Sequence, residues 1–308
     1  MISVTHIQLH KSQTKHTKRN AELFHTYFGS GYLSKDKLVF KNSNVADSDK
    51  ETDKEETDND GKQNIQASEV WTLYDPWFVT QSQIVSSGSN ITIEGNGNQI
   101  CCSTSDPRET YNHIFWVQQN GTLTINNARL FVNGHDDSNN IVYSRNGVTN
   151  NGGKVVLNNC TIFGAGISGW GIYNTSNGTV EMNGCTILNC RRYGVANEYG
   201  TMTLKNCNVK SCATGILNNN QLYIEGSTVE QCKGYNTNSA YGILNVHGNV
   251  SLSNSTIANN TDGIITSEKD GVLSVSGNTK IYGNSTGIRN TGTLNMYSGS
   301  IYSNIYCC

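Results

Sequence analysis

Carboxylates, imidazoles and a guanidinium gather in three polar insertions of this chain: Asp106, Arg108, Glu109 and His113 in the first, His135, Asp136 and Asp137 in the second, Lys233 and Tyr235 in the third. Paired acids such as Asp136 and Asp137 are the groups that proton transfer at a glycosidic bond requires, one holding a proton and the other taking it. Neighbouring residues of an extended loop point apart, however, so this pair reads as a solvated loop and no residue is assigned a catalytic role. Arg108, Glu109, His135, Asp136, Asp137 and Tyr235 are the candidates for ligand binding, because loop charges and a tyrosine suit the hydroxyls and ring faces of a sugar. No Cys/His set stands at zinc spacing and there is no CxxC pair, so neither a metal nor any other cofactor is implied.

The insertions interrupt a repeat. From Gly121 to Asn304 a thirteen-residue pattern recurs, Gly-x-Φ-x-Φ-x-x-small-x-Φ-x-x-Cys/Asn with Φ apolar, followed after a variable turn by Gly-Ile-x-Asn. Copies include GTLTINNARLFVN from Gly121, GTVEMNGCTILNC from Gly178 and GTLNMYSGSIYSN from Gly292. A period of 20 to 30 residues means stacked units that bury their apolar edges against one another. Positions 3 and 5 alternate with polar residues, the signature of a strand with one buried face; positions 8 and 10 give a second short strand and Gly-Ile a third. Three strands per repeat, all running the same way, predict three parallel sheets wound around one core, an all-β right-handed parallel β-helix of about nine coils. Insertions that fall between position 13 and Gly-Ile must leave the solenoid along one edge.

Stacking puts like residues on like. Asn174, Asn197, Asn218, Asn245 and Asn290 are expected to form an amide ladder at a bend, and Cys190, Cys212 and Cys232 to continue as Asn260, Asn284 and Asn304. Most of the ten cysteines are thus core residues, and directly stacked parallel positions fit disulfide torsions poorly, so reduced thiols are expected. At position 11, Phe131, Phe163 and Leu188, then Tyr282 and Tyr302, form two outward stacks.

These residues resemble the right-handed parallel β-helix superfamily of pectate-lyase-like fold, and within it the adhesin-like, polymorphic-outer-membrane-type surface proteins, whose opening coils look like NITIEGNGNQI from Asn90 and NGTLTINNARL from Asn120. The resemblance spans about residues 84 to 304 and implies an extracellular or cell-surface rod that presents glycan-binding or protein-binding loops. The same fold also carries polysaccharide lyases, glycoside hydrolases and phage or appendage spikes. Position 4, outward on the first strand, reads Thr92, Thr124, Val156, Glu181, Thr203, Tyr223, Ser251, Ser274 and Asn295, with no stacked acids. That column favours a non-catalytic surface protein.

The remaining segments are polar. Residues 1–46 are basic and without period; residues 47–65 form an acidic linker, since Asp47 to Asp60 holds eight acids, two lysines and no apolar side chain to offset chain entropy. Residues 66–89, with Trp71, Tyr74, Trp77 and Phe78, are expected to cap the repeats of 90–308, and the chain stops soon after Asn304, which suggests a fragment. A formal charge of −2 gives no general pull toward nucleic acid, no apolar run is long enough to span a bilayer, and the N-terminus lacks the apolar core of a signal peptide.

Overall fold

The computed structural model describes residues 38–41, 63–65, 68–79, 82–102, 113–132, 146–165, 169–234 and 240–306, all in one compact unit, Leu38–Cys308. It is the right-handed parallel β-helix that the repeat predicts. Sheet A, of eleven strands, takes positions 2 to 6 of each repeat; sheet C, of ten, takes positions 9 to 11; sheet B, of ten, takes the Gly-Ile strand. The chain runs A to C to B within each coil. The described residues contain no helix, and hence none long and apolar enough to cross a membrane.

The register follows the sequence columns. Ile91, Leu123, Val155, Val180, Met202, Leu222, Val250, Leu273 and Leu294 pair in succession along sheet A, and Ile93 to Met296 do the same two residues on. All but the last pair, Leu294 and Met296, are buried. Burying one such side chain contributes about 1.5–3 kcal/mol, so the stacked columns are the main source of cohesion. At the other end Trp71 continues the second column above Ile93 and meets Trp77 edge-on at 5.6 Å. Leu38–Lys41 pairs antiparallel with Ser68–Leu73 and Gln63–Ile65 pairs with Gln83–Val85, so strands extend into the polar stretches that show no period.

Two of the three corners turn on one left-handed residue each. Asn127, Asn159, Gly184, Asn206, Gly226, Asn254 and Gly277 have φ between 49° and 63° at the A-to-C bend, and Gly164, Asn189, Ser211, Gln231, Asn259, Gly283 and Ser303 have φ between 51° and 78° at the exit from sheet C. Asn and Gly dominate because they tolerate this conformation best. The residue directly after each corner points into a narrow angle of the core and must be small. One column reads Ala128, Cys160, Cys185, Cys207, Ser227 and Ser255, and the other Ala165, Cys190, Cys212, Cys232, Asn260 and Asn284, all buried.

The third corner, from sheet B to sheet A, is held by the asparagine ladder. Asn150 Nδ2 donates to Asn174 Oδ1 at 2.9 Å, Asn174 to Asn197 at 2.9 Å, Asn197 to Asn218 at 2.8 Å and Asn218 to Asn245 at 2.9 Å. Each amide also donates to a carbonyl of its own turn, as Asn197 does to Gly200 O at 3.0 Å. The approach is close enough that a Cβ on Gly178 would strike the Asn150 amide, which explains the glycine that opens the repeat. The ladder starts one coil earlier than the sequence column suggests, at Asn150, and Thr266 stands between Asn245 and Asn290. There the buried Thr266 Oγ1 and Asn290 Oδ1 both lack a partner.

Cys101, Cys160, Cys185, Cys190, Cys207, Cys212 and Cys232 are buried and form no disulfide, as the register argument expects. Their thiols donate to carbonyls of the chain, for example Cys160 to Ile125 O at 3.3 Å and Cys185 to Leu157 O at 3.3 Å. Burial pushes the Cys232 thiol up to about 12 from its ordinary 9.0.

Two outcomes follow from this packing. Thr266→Asn supplies the missing donor and acceptor and should raise the urea unfolding free energy by about 1 kcal/mol, whereas Asn197→Ala strands its neighbours and should lower it by about 3 kcal/mol; equal effects of the two would contradict the ladder. Second, the described cysteines should react with a thiol reagent only on unfolding. Because the folded Cys232 thiol ionises near 12 and the unfolded one near 9.0, its contribution to stability is complete below pH 9 and declines as pH rises toward 12. Thermal melts of wild type and Cys232→Ala between pH 8 and 11 measure this, and identical slopes would refute it.

Candidate functional site

The six loop candidates, Arg108, Glu109, His135, Asp136, Asp137 and Tyr235, lie outside the described residues, as does Asp106. Their places in the chain are nonetheless informative. Each insertion joins a strand of sheet C to a strand of sheet B, so the described residues that flank it open on the C-to-B edge. Of the insertion residues that are described, His113 begins the strand His113–Val117 and its Nδ1 lies 3.2 Å from Thr149 Oγ1, while Lys233 is exposed.

The outer face of sheet B is where aromatic side chains collect. In each strand the ladder pairing passes over the glycine of Gly-Ile, as in Trp170↔Tyr193 followed by Ile172↔Val195. That glycine is packed against the next coil: a Cβ on Gly194 would lie 2.8 Å from Gly215 O and 3.0 Å from the Cys212 sulfur. Glycine and the following Ile or Val both turn inward, so the residues on either side, Trp170 and Tyr173, are brought together on the outside. Their rings stack at 4.1 Å with an interplanar angle of 29°.

Arg192 lies over both Trp170 and Tyr193, its guanidinium carbon 5.2 Å from each ring centroid. At the far end of the shelf the Tyr173 hydroxyl donates to Glu198 Oε2 at 2.5 Å. Desolvation, reinforced by that carboxylate, pushes the phenol up to about 12, so Tyr173 is a neutral donor throughout the ordinary pH range. Further along the same column lie Ala196, Leu217, Leu244 and Ile265, of which Leu217 and Leu244 are half-buried and Ala196 and Ile265 are buried. The indole nitrogen of Trp170 is buried and has no acceptor among the described residues.

Sheet C presents a smaller counterpart across the edge. Phe131 and Phe163 meet at 5.5 Å, Arg129 lies 5.4 Å over Phe131, and Tyr282 stacks on Tyr302 at 5.2 Å and 11°. These are the position-11 stacks expected from the repeat. Sheet A differs in being polar outside, with Asn183, Asn158, Asn126 and Glu94 linked in a surface ladder at 2.7–2.9 Å. Lys154 pairs with Glu181 at 2.9 Å on the same face.

Acid chemistry finds little support among the described residues. Glu94, Glu181, Glu198, Glu225, Asp262 and Asp270 each engage a different partner, and no group of three His, Cys, Asp or Glu side chains is arranged to hold a metal. The sequence reading missed the sheet-B shelf, although its signal was present: the x of Gly-Ile/Val-x-Asn is Tyr173, Ala196, Leu217 and Leu244, and the residue before the glycine is Trp170, Tyr193 or Tyr241.

No family model and no curated protein matches the chain. Among solved structures it is similar to the enzymatically active domain of tailspike protein 2 of bacteriophage CBA120, at 12% identity and a TM-score of 0.54, over 73% of this chain and 38% of that one. It is also similar to tailspike protein gp49 of Acinetobacter baumannii bacteriophage Fri1, a capsular polysaccharide depolymerase, at 11% identity and a TM-score of 0.47, over 77% and 56% of the two chains. A third similarity is to the periplasmic alginate epimerase AlgG, at 11% identity and a TM-score of 0.35, over 76% and 78%. The chain therefore spans well under half of the CBA120 tailspike domain with which it shares its architecture. That likeness, with the register of the three sheets, identifies the fold as a right-handed parallel β-helix.

Proposed function

We propose that the protein is a non-catalytic surface protein that holds glycan chains along the outer face of sheet B and the adjoining C-to-B edge. The observation that carries this reading is the Trp170–Tyr173 stack on a sheet strand, beside the insertions. A sugar ring offers an apolar C–H face and a rim of hydroxyls, and an aromatic side chain with polar neighbours complements both. Here the rings are fixed by paired strands on either side, so little rotamer entropy is lost when a ligand settles on them. The neutral Tyr173 hydroxyl and the exposed Arg192 supply polar groups at the two ends of the shelf. Display at a cell or particle surface belongs to the same proposal and agrees with the adhesin-like character of the repeat. The insertion residues Arg108, Glu109, His135, Asp136, Asp137 and Tyr235 are assigned in it to the rim of the binding edge.

A glycan array, followed by calorimetric titration of the saccharides retained, tests the reading. Binding without release of shorter products is expected, and Trp170→Ala should weaken it about 30-fold, the usual effect of removing a central aromatic anchor. Circular dichroism of the variant checks that the coil remains intact. Products that disappear when Asp136 or Asp137 is substituted would replace this reading with a hydrolase or lyase.

A further inference from the structure

Three Lys or Arg side chains on the exterior of this solenoid pair with acids from coil to coil. Lys154 meets Glu181 at 2.9 Å, Lys205 meets Glu225 at 3.6 Å and Arg289 meets Asp262 at 3.2 Å, each pair formed by residues on strands that are neighbours in a sheet. Arg192 is held differently, by aromatic rings. It is exposed at the start of a sheet-B strand, it lies on the rings of Trp170 and Tyr193, and it has no carboxylate partner among the described residues. The next residue in the column after Tyr193 is Thr214, which brings no acid. Glu198 belongs to the same coil, but it is occupied by the Tyr173 hydroxyl.

Arg129 repeats the arrangement on sheet C. It is exposed, lies 5.4 Å over Phe131 and likewise has no carboxylate partner among the described residues. Both guanidiniums are therefore held by aromatic rings while no anion among the described residues claims their N–H groups; Arg129 opens a sheet-C strand and Arg192 directly precedes a sheet-B strand. A planar fork of donors matches a carboxylate better than it matches isolated hydroxyls. A neutral sugar would use the rings and leave the charge idle.

Resting on the glycan-binding reading above, we infer that the ligand is an acidic glycan, a chain of uronate or sialate type, whose carboxylate seats on Arg192 while its ring packs against the Trp170–Tyr173 stack, with Arg129 offering a second carboxylate station on sheet C. The overall charge of −2 gives no long-range attraction to a polyanion, so the preference arises from these local contacts.

The test is calorimetric titration of the full chain with oligogalacturonate, hyaluronan fragments and sialyllactose, each paired with its carboxyl-reduced form. At least one acid form should bind about tenfold or more tightly than its reduced counterpart, the effect of one charge-assisted hydrogen-bonded pair. Arg192→Gln should bring that ratio close to one, and Arg192→Lys should keep part of it. Equal affinity for acid and reduced forms would sink the inference while leaving the glycan reading in place. Failure of every saccharide, charged or neutral, would sink both. Tighter binding of poly-glutamate than of any acidic saccharide would also overturn it, since charge without a sugar face would then suffice.

Discussion

A parallel coil can accept a neighbour only if each buried polar group finds its partner one strand spacing away, and the turn from sheet B to sheet A is where that demand is most severe. Its backbone bends inside the core, so its carbonyls cannot all be met by strand pairing. An asparagine amide answers the problem because it carries donors and an acceptor on one short side chain. Stacked at the spacing of parallel strands, each amide serves its own turn and the amide of the next coil, as Asn174 does with Gly178 O and Asn197 Oδ1. The chain of aligned dipoles from Asn150 to Asn245 then fixes the register of the coils it links. A slip of one residue would replace every rung with an unpaired buried amide.

The other two corners solve a different problem by simpler means. A single left-handed residue turns the chain, and the side chain that follows must fit the narrow angle. Early coils fill it with sulfur, Cys160, Cys185 and Cys207 in one column and Cys190, Cys212 and Cys232 in the other. Later coils use Ser227 and Ser255, or Asn260 and Asn284. The two choices are not equivalent. A thiol is small and nearly apolar, and the adjacent backbone N–H must be met elsewhere. A hydroxyl or amide also accepts from the preceding coil, as Cys207 N donates to Ser227 Oγ at 2.9 Å and Cys232 N donates to Asn260 Oδ1 at 2.9 Å. The change from Cys to Ser or Asn thus exchanges apolar filling for one more bond between coils.

Why the interior was legible in the sequence, and the exterior less so, follows from this stacking. Each inward residue is constrained by those above and below it, so Ile91 to Leu294 and Leu130 to Ile257 could be aligned by eye into the columns that the register pairs. Outward residues obey no such rule. The position-11 rings were visible because they fall at a fixed place in the thirteen-residue pattern, and Tyr282 does stack on Tyr302. The sheet-B shelf was not, because the variable insertions precede its strand and because alternation alone cannot foresee that the pairing skips a glycine. That skip sends Gly171 and Ile172 inward together and makes neighbours of Trp170 and Tyr173. Thr266 was passed over for a related reason: a column read as asparagine hides the coil in which it fails.

The consequence for function is a division of labour among the three faces. On the exterior of sheet A amides join in a ladder and Lys154 and Lys205 find acids on adjacent coils. Such in-register pairs satisfy themselves and leave little for a ligand to complete. Sheets B and C keep rings and guanidiniums that are oriented by neighbouring strands yet not consumed by them, as at Arg192 over Trp170 and Arg129 over Phe131. Rigid backbone and unspent polar capacity are the conditions under which a shallow surface can bind without a deep pocket. The same regularity that makes the core repetitive fixes the rings on which Arg192 and Arg129 lie.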